Sequence, residues 1–296
     1  MIAETPDLLI STSHAVLRIT LNHNLGAVIV TEDQGLYYGI RLVGDSIFLS
    51  ARNATVSDQA AGQRELGQLL ELTANGISRA QAPKLPMRDL HGIGVHGATL
   101  WATCSHDDAV AIYDLRGDAW IWWYPITLES GRGPDQHHFN TLYFERDLVW
   151  VLAHRRGPSE LLAFPVTEAM RGETSKPVQV LAMGNQAHNI WRCSDGSLAT
   201  CSSGEGMLIS SSGWQLETGG FPRGVARLPS GWVVGISALR ERSERDFSDA
   251  QLQIYDHNWH LLMEITLPKV GMILDIIAVP QGLQLPAIRK LPLAAS

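Results

Sequence analysis

Three histidines recur along this chain at nearly equal distances and could bind a metal ion. His91, His138 and His188 are 47 and 50 residues apart, and each stands at the start of a similar segment. Neutral imidazoles that converge on one point form a good site for zinc, iron or another divalent transition metal. Three such ligands leave coordination positions open for water or substrate, which is the catalytic arrangement. The spacing therefore predicts a metal site, provided that the fold brings these residues together.

Histidines at such positions also have structural roles, and this alternative stays open. An imidazole can cap a strand or hydrogen-bond a backbone carbonyl without binding any ligand. His137 stands beside His138 and could take its place, because the register there is ambiguous. His154 is expected on the same face of the fold. Groups that could orient the imidazoles from behind, as partners of metal ligands commonly do, are Asp275, Asn140 and Asn189.

An arginine supplies a second kind of chemistry, the binding of anions. Arg223 follows Phe221-Pro222 and precedes Gly224, so its backbone is held stiffly. A guanidinium in such a position is suited to clamp a carboxylate or a phosphate. A buried ion pair between Arg223 and Asp275 would explain the same residue equally well.

Three further residues are candidates by their placement alone. Tyr38 stands at the start of another similar segment, and Arg240 and Glu241 open the charged loop at 239–249. Arg240 could add to anion binding, while Tyr38 or Glu241 could transfer a proton. A charged loop is also a common form of solvated surface, so this alternative is kept as well.

The elements that would position these residues are short strands in a repeated pattern. The segments 38–50, 91–103, 188–200 and 223–235 each contain a short strand, a tight polar turn and a second strand. The repeats start near 38, 91, 138, 188, 223 and 274, a spacing close to the roughly 40–50 residues of a four-stranded propeller blade. We therefore predict an all-β single domain over residues 1–296, a six-bladed β-propeller. Five or seven blades stay open, because the step from 188 to 223 is short.

The ends of the chain complete this prediction. The sixth repeat is cut short by the C-terminus, and the N-terminal strands can finish it, which closes the ring and leaves no sheet edge exposed. In a propeller the innermost strands line the central channel, so the residues at the repeat starts gather at one mouth. One segment departs from the pattern, because the leucines of residues 58–73 form an imperfect helical stripe and predict a helix.

The composition excludes several classes of protein. The net charge is −7, which argues against a nucleic-acid groove or binding to an anionic membrane surface. No apolar run approaches the roughly 20 residues of a membrane span, and residues 1–7 lack the layout of a signal peptide, so we expect a cytoplasmic protein. The three cysteines form no Cys-x-x-Cys motif and are expected to be buried apolar residues.

Several motifs occur in an order that resembles a known family. They are His91-Gly-Ile, His138-Phe-Asn-Thr, Ala187-His-Asn-Ile, Phe221-Pro-Arg-Gly-Val-Ala and Gly235-Ile-Ser-Ala-Leu-Arg-Glu241. The chain resembles, over roughly residues 35–257, a bacterial family of uncharacterised conserved hypothetical propeller-like proteins, some fused to tetratricopeptide repeats. The resemblance implies the propeller and the face that carries the site, but no activity. Gly92 and Asn189 stand where that family has Asp and Ser.

A second resemblance concerns only the ligands. Metal-dependent six-bladed lyases, the alpha-hydroxyglycine amidating lyases, hold zinc with three histidines on the channel axis, and the set of His91, His138 and His188 is similar in kind. We therefore predict a metal-dependent lyase or isomerase/cyclase acting on a small, polar, anionic specialised metabolite. The alternatives are a non-catalytic scaffold or ligand-binding propeller, and a metal-free acid/base enzyme that uses the same residues. The sequence does not indicate the oligomeric state.

Overall fold

A computed structural model describes residues 6–21, 25–33, 36–53, 65–79, 83–117 and 119–295. Within these ranges the chain is nearly all strand, with one short α-helix, α1 (Val166–Ala169). The strands form six antiparallel sheets, which are the six blades of the predicted β-propeller. The predicted fold class is therefore confirmed. Across these ranges, no helix is both long and apolar enough to cross a bilayer.

Blades 1 to 3 each contain four strands that follow one another along the chain. Blade 1 is formed by β4 (Leu36–Val43), β5 (Ser46–Arg52), β6 (Gly67–Thr73) and β7 (Gly76–Arg79). Blade 2 is formed by β8 (Leu90–His96), β9 (Thr99–Cys104), β10 (Ala109–Asp114) and β11 (Ala119–Trp123). Blade 3 is formed by β12 (Phe139–Glu145), β13 (Leu148–Ala153), β14 (Pro158–Pro165) and β15 (Gln179–Asn185).

Blades 5 and 6 each gain a strand from the C-terminal segment. Blade 4 is formed by β16 (Ala187–Arg192), β17 (Leu198–Ser202), β18 (Met207–Ser210) and β19 (Gln215–Glu217). Blade 5 is formed by β20 (Phe221–Leu228), β21 (Gly231–Ser237), β22 (Ala250–Tyr255), β23 (Leu261–Leu267) and β26 (Ala294–Ala295). Blade 6 is formed by β24 (Ile273–Val279), β1 (Asp7–Thr12), β2 (Ala15–Thr20), β3 (Gly26–Glu32) and β25 (Arg289–Leu291).

Blade 6 joins the two ends of the chain. Its innermost strand β24 comes from the C-terminal part and pairs along its whole length with β1, from Asp7 opposite Val279 to Thr12 opposite Ile273. The predicted closure by N-terminal and C-terminal strands is thus confirmed. By its internal contacts the chain divides into two compact units, which are described separately: blades 1, 5 and 6 form one, and blades 2, 3 and 4 form the other.

Blades pack face to face because their strands are apolar on both sides. In β13, Val149 and Val151 point into a cluster that contains Trp101 of blade 2. The intervening Trp150 and Leu152 point into a second cluster with residues of blade 4. Successive side chains of a strand face opposite sides of the sheet, so an uninterrupted apolar run is what a doubly covered blade requires.

The predicted helix over residues 58–73 is wrong where the structure can be compared. Residues 67–73 form strand β6, while residues 54–64 lie outside the described ranges. Leu70 and Leu72 are two residues apart and enter one apolar cluster with Tyr37 of blade 1. Leu66, which the helical stripe includes, is exposed. The leucines therefore follow the two-residue period of a strand rather than the 3.6-residue period of a helix.

A β-bulge interrupts the innermost strand of each blade. In β8 the pairing register shifts between Leu90 and Ile93, so that His91 and Gly92 lie in the irregular part. The corresponding shifts in the other blades lie at Tyr37/Ile40, Phe139/Thr141, His188/Trp191, Pro222/Val225 and Ile273/Asp275. A bulge bends the strand and redirects a side chain away from the regular alternation. The residues at the predicted repeat starts are those at or next to these bulges.

Glycine is required at one of these bulges. Gly224 has φ +81°, and a Cβ there would lie 2.8 Å from Ile276 Cγ1 and 3.2 Å from the Asp275 carbonyl carbon. We expect Gly224→Ala to lower the free energy of unfolding by about 2–4 kcal/mol, because the strained φ and the clash add. Gly44→Ala is the matched control, with φ +60° and no atom within 4 Å, and should cost only about 1 kcal/mol. Urea unfolding measures both, and equal losses would contradict the packing argument.

Candidate functional site

Four buried histidines contact one another in the unit of blades 2, 3 and 4. The ring centroids of His91 and His138 are 5.0 Å apart, those of His138 and His154 are 4.9 Å apart, and those of His154 and His188 are 5.1 Å apart. None of the four is more than 8% exposed. We call these residues the histidine row. It contains all three predicted ligands together with His154, which was expected on the same face.

The hydrogen bonds of His91 determine which ring nitrogen carries the proton. Its Nδ1 lies 2.9 Å from the backbone oxygen of Asp89 and 2.9 Å from Ser105 Oγ. The Ser105 hydroxyl donates to the Phe139 carbonyl at 2.6 Å, so its oxygen is left to accept. A carbonyl only accepts, and therefore Nδ1 of His91 is the donor. In the neutral ring the lone pair is on Nε2, which is the form that binds a metal or takes up a proton.

His138 has the same tautomer for a different reason. Its Nδ1 donates to Asp135 Oδ1 at 2.7 Å, and the other oxygen of Asp135 accepts from Arg156. A carboxylate behind an imidazole fixes the orientation and the tautomer of the ring. His188 follows the pattern of His91, with Nδ1 2.8 Å from Ser203 Oγ.

His154 has the opposite tautomer. The backbone N–H of Arg156 donates to His154 Nδ1 at 3.0 Å, so this nitrogen must accept. The proton of the neutral ring is therefore on Nε2. The histidine row thus combines one imidazole that offers an N–H, His154, with two that offer a lone pair, His91 and His138.

A buried carboxylate positions His138. Asp108 is fully buried, and its Oδ1 accepts the backbone N–H groups of His137 at 2.8 Å and His138 at 2.9 Å. The backbone N–H of Gln136 donates to Oδ2. His138 itself has φ +51°. A left-handed conformation in a residue other than glycine is strained, and it persists only where surrounding contacts enforce it.

The ambiguity between His137 and His138 is resolved by the structure. His138 contacts His91 and His154, whereas the His137 ring stacks on Phe139 with centroids 5.3 Å apart. Both ring nitrogens of His137 are buried and have no hydrogen-bond partner among the described residues. Burial lowers the pKa of His137 below its usual range, which keeps the ring neutral. His138 is therefore the residue that belongs to the row.

A carboxylate joins two of the histidines in an arrangement that could hold a metal ion. One ligand atom each from Asp89, His91 and His138 lies within 4.8 Å of the other two. Ligands of a tetrahedral zinc ion are about 3.3 Å apart, so small side-chain movements would close this group around an ion. Asp89 has φ +53°, which is another strained position. His188, the third predicted ligand, lies beside His154 and outside this group of three.

Two of the residues expected to orient the imidazoles have other partners. Asn140 Nδ2 donates to the Ala187 carbonyl at 2.9 Å, while the role of Asn189 stays a prediction. Asp275 belongs to the other unit, where it binds Arg41. The groups behind the imidazoles are instead the Asp89 carbonyl, Ser105, Asp135 and Ser203.

Tyr38 and Arg223 lie together in the unit of blades 1, 5 and 6. The guanidinium carbon of Arg223 is 4.7 Å from the centroid of the Tyr38 ring, and that of Arg52 is 5.0 Å from it. We call these three residues the arginine–tyrosine cluster. All three are buried. Burial is the main effect that lowers the pKa of Arg223, and the charge of Arg52 acts in the same direction.

Asp275 does not form the ion pair with Arg223 that the sequence left open. Its Oδ2 lies 2.6 Å from Arg41 Nη1 and accepts the backbone N–H of Ile40, while Oδ1 accepts the N–H of Ile276. Among the described residues, no carboxylate oxygen lies within 4.0 Å of the Arg223 guanidinium. Asp275 is thus neutralised by Arg41 and by backbone amides.

The structure places Arg240 and Glu241 on an exposed loop. Arg240 Nη1 is 3.8 Å from Glu244 Oε2 in the same segment, and the Arg240 side chain is 56% exposed. Glu241 is also exposed, directly before a 3₁₀ turn at Arg242–Phe247. Their roles in anion binding and proton transfer stay predictions.

Several functional candidates were not found from the sequence, although the signals were present. Asp89 precedes His91 by two residues, and Asp135 precedes His138 by three. Ser105 and Ser203 each directly follow the second strand of their blade, and His154 occupies this position in blade 3. The sequence already places Ser203 and His154 in equivalent loops, and extending the comparison to blade 2 would have added Ser105.

Comparisons with known proteins support the fold and do not extend to a function. The chain matches no family model and no curated protein. A chain in the crystal structure of a nidogen/laminin complex has a TM-score of 0.64 at 12% identity, with 93% of this chain and 99% of that one covered. A protein of unknown function from Bacteroides caccae has a TM-score of 0.60 at 11% identity, with 93% and 99% covered. Catalytically inactive virginiamycin B lyase from Staphylococcus aureus with quinupristin has a TM-score of 0.50 at 9% identity, with 92% and 95% covered.

The two tautomers of the histidine row can be observed directly. In ¹⁵N–¹H correlation spectra of the neutral rings in metal-free protein, we expect His91 and His138 to be protonated at Nδ1 and His154 at Nε2. The reason is that the first two donate from Nδ1, whereas His154 accepts there. Spectra of His154→Gln and His138→Gln assign the signals. The same tautomer in all three rings would contradict the described network.

Proposed function

We propose that the protein is a metal-dependent propeller enzyme of the lyase or isomerase/cyclase type, acting on a small polar metabolite. The observation that carries the proposal is the group of Asp89, His91 and His138, whose ligand atoms lie within 4.8 Å of one another. The Asp89 carboxylate lies 3.8 Å from Nδ1 of His91 and 3.8 Å from Nδ1 of His138, and each histidine would offer one ring nitrogen to the ion. Asp89 would add the third protein ligand and one negative charge.

The donor set suits a divalent transition metal such as zinc or iron. Imidazole and carboxylate ligands in a three-residue set are typical of catalytic zinc and of non-haem iron. An ion bound there would supply Lewis-acid chemistry to a carbonyl or hydroxyl group of the substrate. The hydrogen bonds from His91 to the Asp89 carbonyl and from His138 to Asp135 would keep both rings oriented.

The rest of the histidine row supports a reaction that relocates a proton. His154 offers an N–H at Nε2, and the neighbouring His188, whose Nδ1 is hydrogen-bonded to Ser203 Oγ, is a second proton-transfer group beside it. Elimination and isomerisation both need a group that accepts a proton from carbon and a group that donates one to oxygen or carbon. Virginiamycin B lyase shares this fold and is a lyase, although a likeness at 9% identity adds only the architecture.

The second candidate is a metal-free acid/base enzyme that uses the same residues. The Asp135–His138 contact of 2.7 Å favours it, because a carboxylate behind an imidazole also prepares a general base. A metal-dependent enzyme must bind an ion at this group to be active, whereas a metal-free enzyme must be active without one. A non-catalytic ligand-binding propeller would be indicated if the protein bound a metabolite without converting it.

Metal loading tests the proposal. Protein purified without a histidine tag should bind about one equivalent of zinc by elemental analysis and calorimetry. We expect His91→Ala and His138→Ala to weaken binding by about 100-fold or more, and Asp89→Asn by about 10- to 100-fold, because each removes a ligand.

His137→Phe is the matched control for His138→Ala. His137 is adjacent and half-buried, but its ring stacks on Phe139, so an aromatic replacement should leave zinc binding unchanged. Replacement of the exposed His260 by alanine is a second control, and it should also leave zinc binding unchanged. The proposal fails if the wild type binds neither zinc nor iron, or if the His91→Ala/His138→Ala double variant binds as tightly as the wild type.

A further inference from the structure

Arg223 combines deep burial with the absence of an ion-pair partner. Only 6% of the residue is exposed, and across the described ranges its guanidinium has no carboxylate oxygen within 4.0 Å. Arginines that are more exposed do form such pairs, among them Arg18 with Asp7 at 2.5 Å and Arg41 with Asp275 at 2.6 Å. A buried charge that lacks an ion-pair partner is destabilising unless other groups compensate it.

The groups around Arg223 compensate this charge only in part. Tyr38 attracts the guanidinium through its ring, whose centroid is 4.7 Å from the guanidinium carbon, and through a side-chain hydrogen bond, and the charge of Asp275 also favours the charged form. Arg52 lies against the same ring at 5.0 Å and adds a second positive charge. The nearby carboxylate, Asp275, is bound by Arg41 and by two backbone amides. The immediate surroundings of Arg223 therefore favour an additional negative charge.

The backbone holds Arg223 in place. It lies in the bulge between Pro222 and Val225, and Gly224 fits closely against Ile276. Gly235 on the neighbouring strand allows the chains to approach, since a Cβ there would be 2.4 Å from the Arg223 carbonyl oxygen. A guanidinium on such a rigid support loses little conformational entropy when it binds a ligand.

From these observations we propose that Arg223 and Tyr38 form an oxyanion-binding site in the unit of blades 1, 5 and 6. The planar guanidinium matches the two oxygens of a carboxylate or a phosphate, and a dry setting strengthens the attraction. Tyr38 also belongs to an apolar cluster with Phe221, Met272 and Leu274, which suits the carbon skeleton of an organic anion. The expected ligand class is therefore an organic carboxylate. The proposal does not depend on the metal site and concerns binding alone.

Thermal unfolding and calorimetry test the site with three probes, phenylacetate, acetate and inorganic phosphate. A chelator is present in each experiment so that bound metal cannot contribute. We expect phenylacetate to raise the unfolding midpoint of the wild type in a saturable manner. Arg223→Lys should bind at least about tenfold more weakly, because the charge remains but the two-pronged geometry is lost. Tighter binding of phosphate than of phenylacetate would assign the site to a phosphate ester instead.

Arg223→Met separates a binding role from a structural one. If the guanidinium is there for a ligand, its removal leaves the unfolding midpoint of the ligand-free protein unchanged or higher, and abolishes the response to anions. Arg41→Met is the matched control: it removes a paired arginine, strands the buried Asp275, lowers the ligand-free midpoint and retains the response. The proposal is overturned if no probe shifts the wild type, or if Arg223→Met responds as the wild type does.

Discussion

The candidate chemistry of this protein depends on one repeated irregularity, the β-bulge in the innermost strand of each blade. A regular strand would direct alternate side chains into the apolar clusters between blades, where Trp101 and Val151 lie. The bulge withdraws one or two residues from that alternation. His91 and Arg223 lie at these positions, His188 stands directly before one of them, and each of the three is more than nine-tenths buried. The same local geometry thus presents different chemistry in different blades.

Burial of so many polar rings is possible because each imidazole has a partner for Nδ1. Ser105 and Ser203 occupy equivalent positions after the second strand of their blades, so the repeat supplies these partners as well as the rings. In blade 3 the equivalent position holds His154, and the partner of His138 comes from Asp135 instead. His154 at this position therefore adds an imidazole with an N–H at Nε2 to the histidine row.

The sequence allowed the blade number, the ring closure and the placement of His91, His138 and His188 to be predicted, because these follow from periodicity. It could not separate His137 from His138, since the choice depends on three backbone hydrogen bonds to Asp108, a residue of the preceding blade. Residues 67–73 were mistaken for part of a helix, because three leucines in four positions fit either period. Contacts between residues of different blades cannot be predicted from the residue pattern of a single segment.

The central claim is that Asp89, His91 and His138 bind one metal ion. Diffraction from zinc-loaded crystals, recorded on both sides of the zinc absorption edge, tests it most directly. The account predicts one anomalous peak per chain, about 2.0–2.2 Å from one ring nitrogen of His91, one ring nitrogen of His138 and a carboxylate oxygen of Asp89. A peak bound only by other residues, such as the exposed His260, or no peak in crystals that contain zinc, would contradict it.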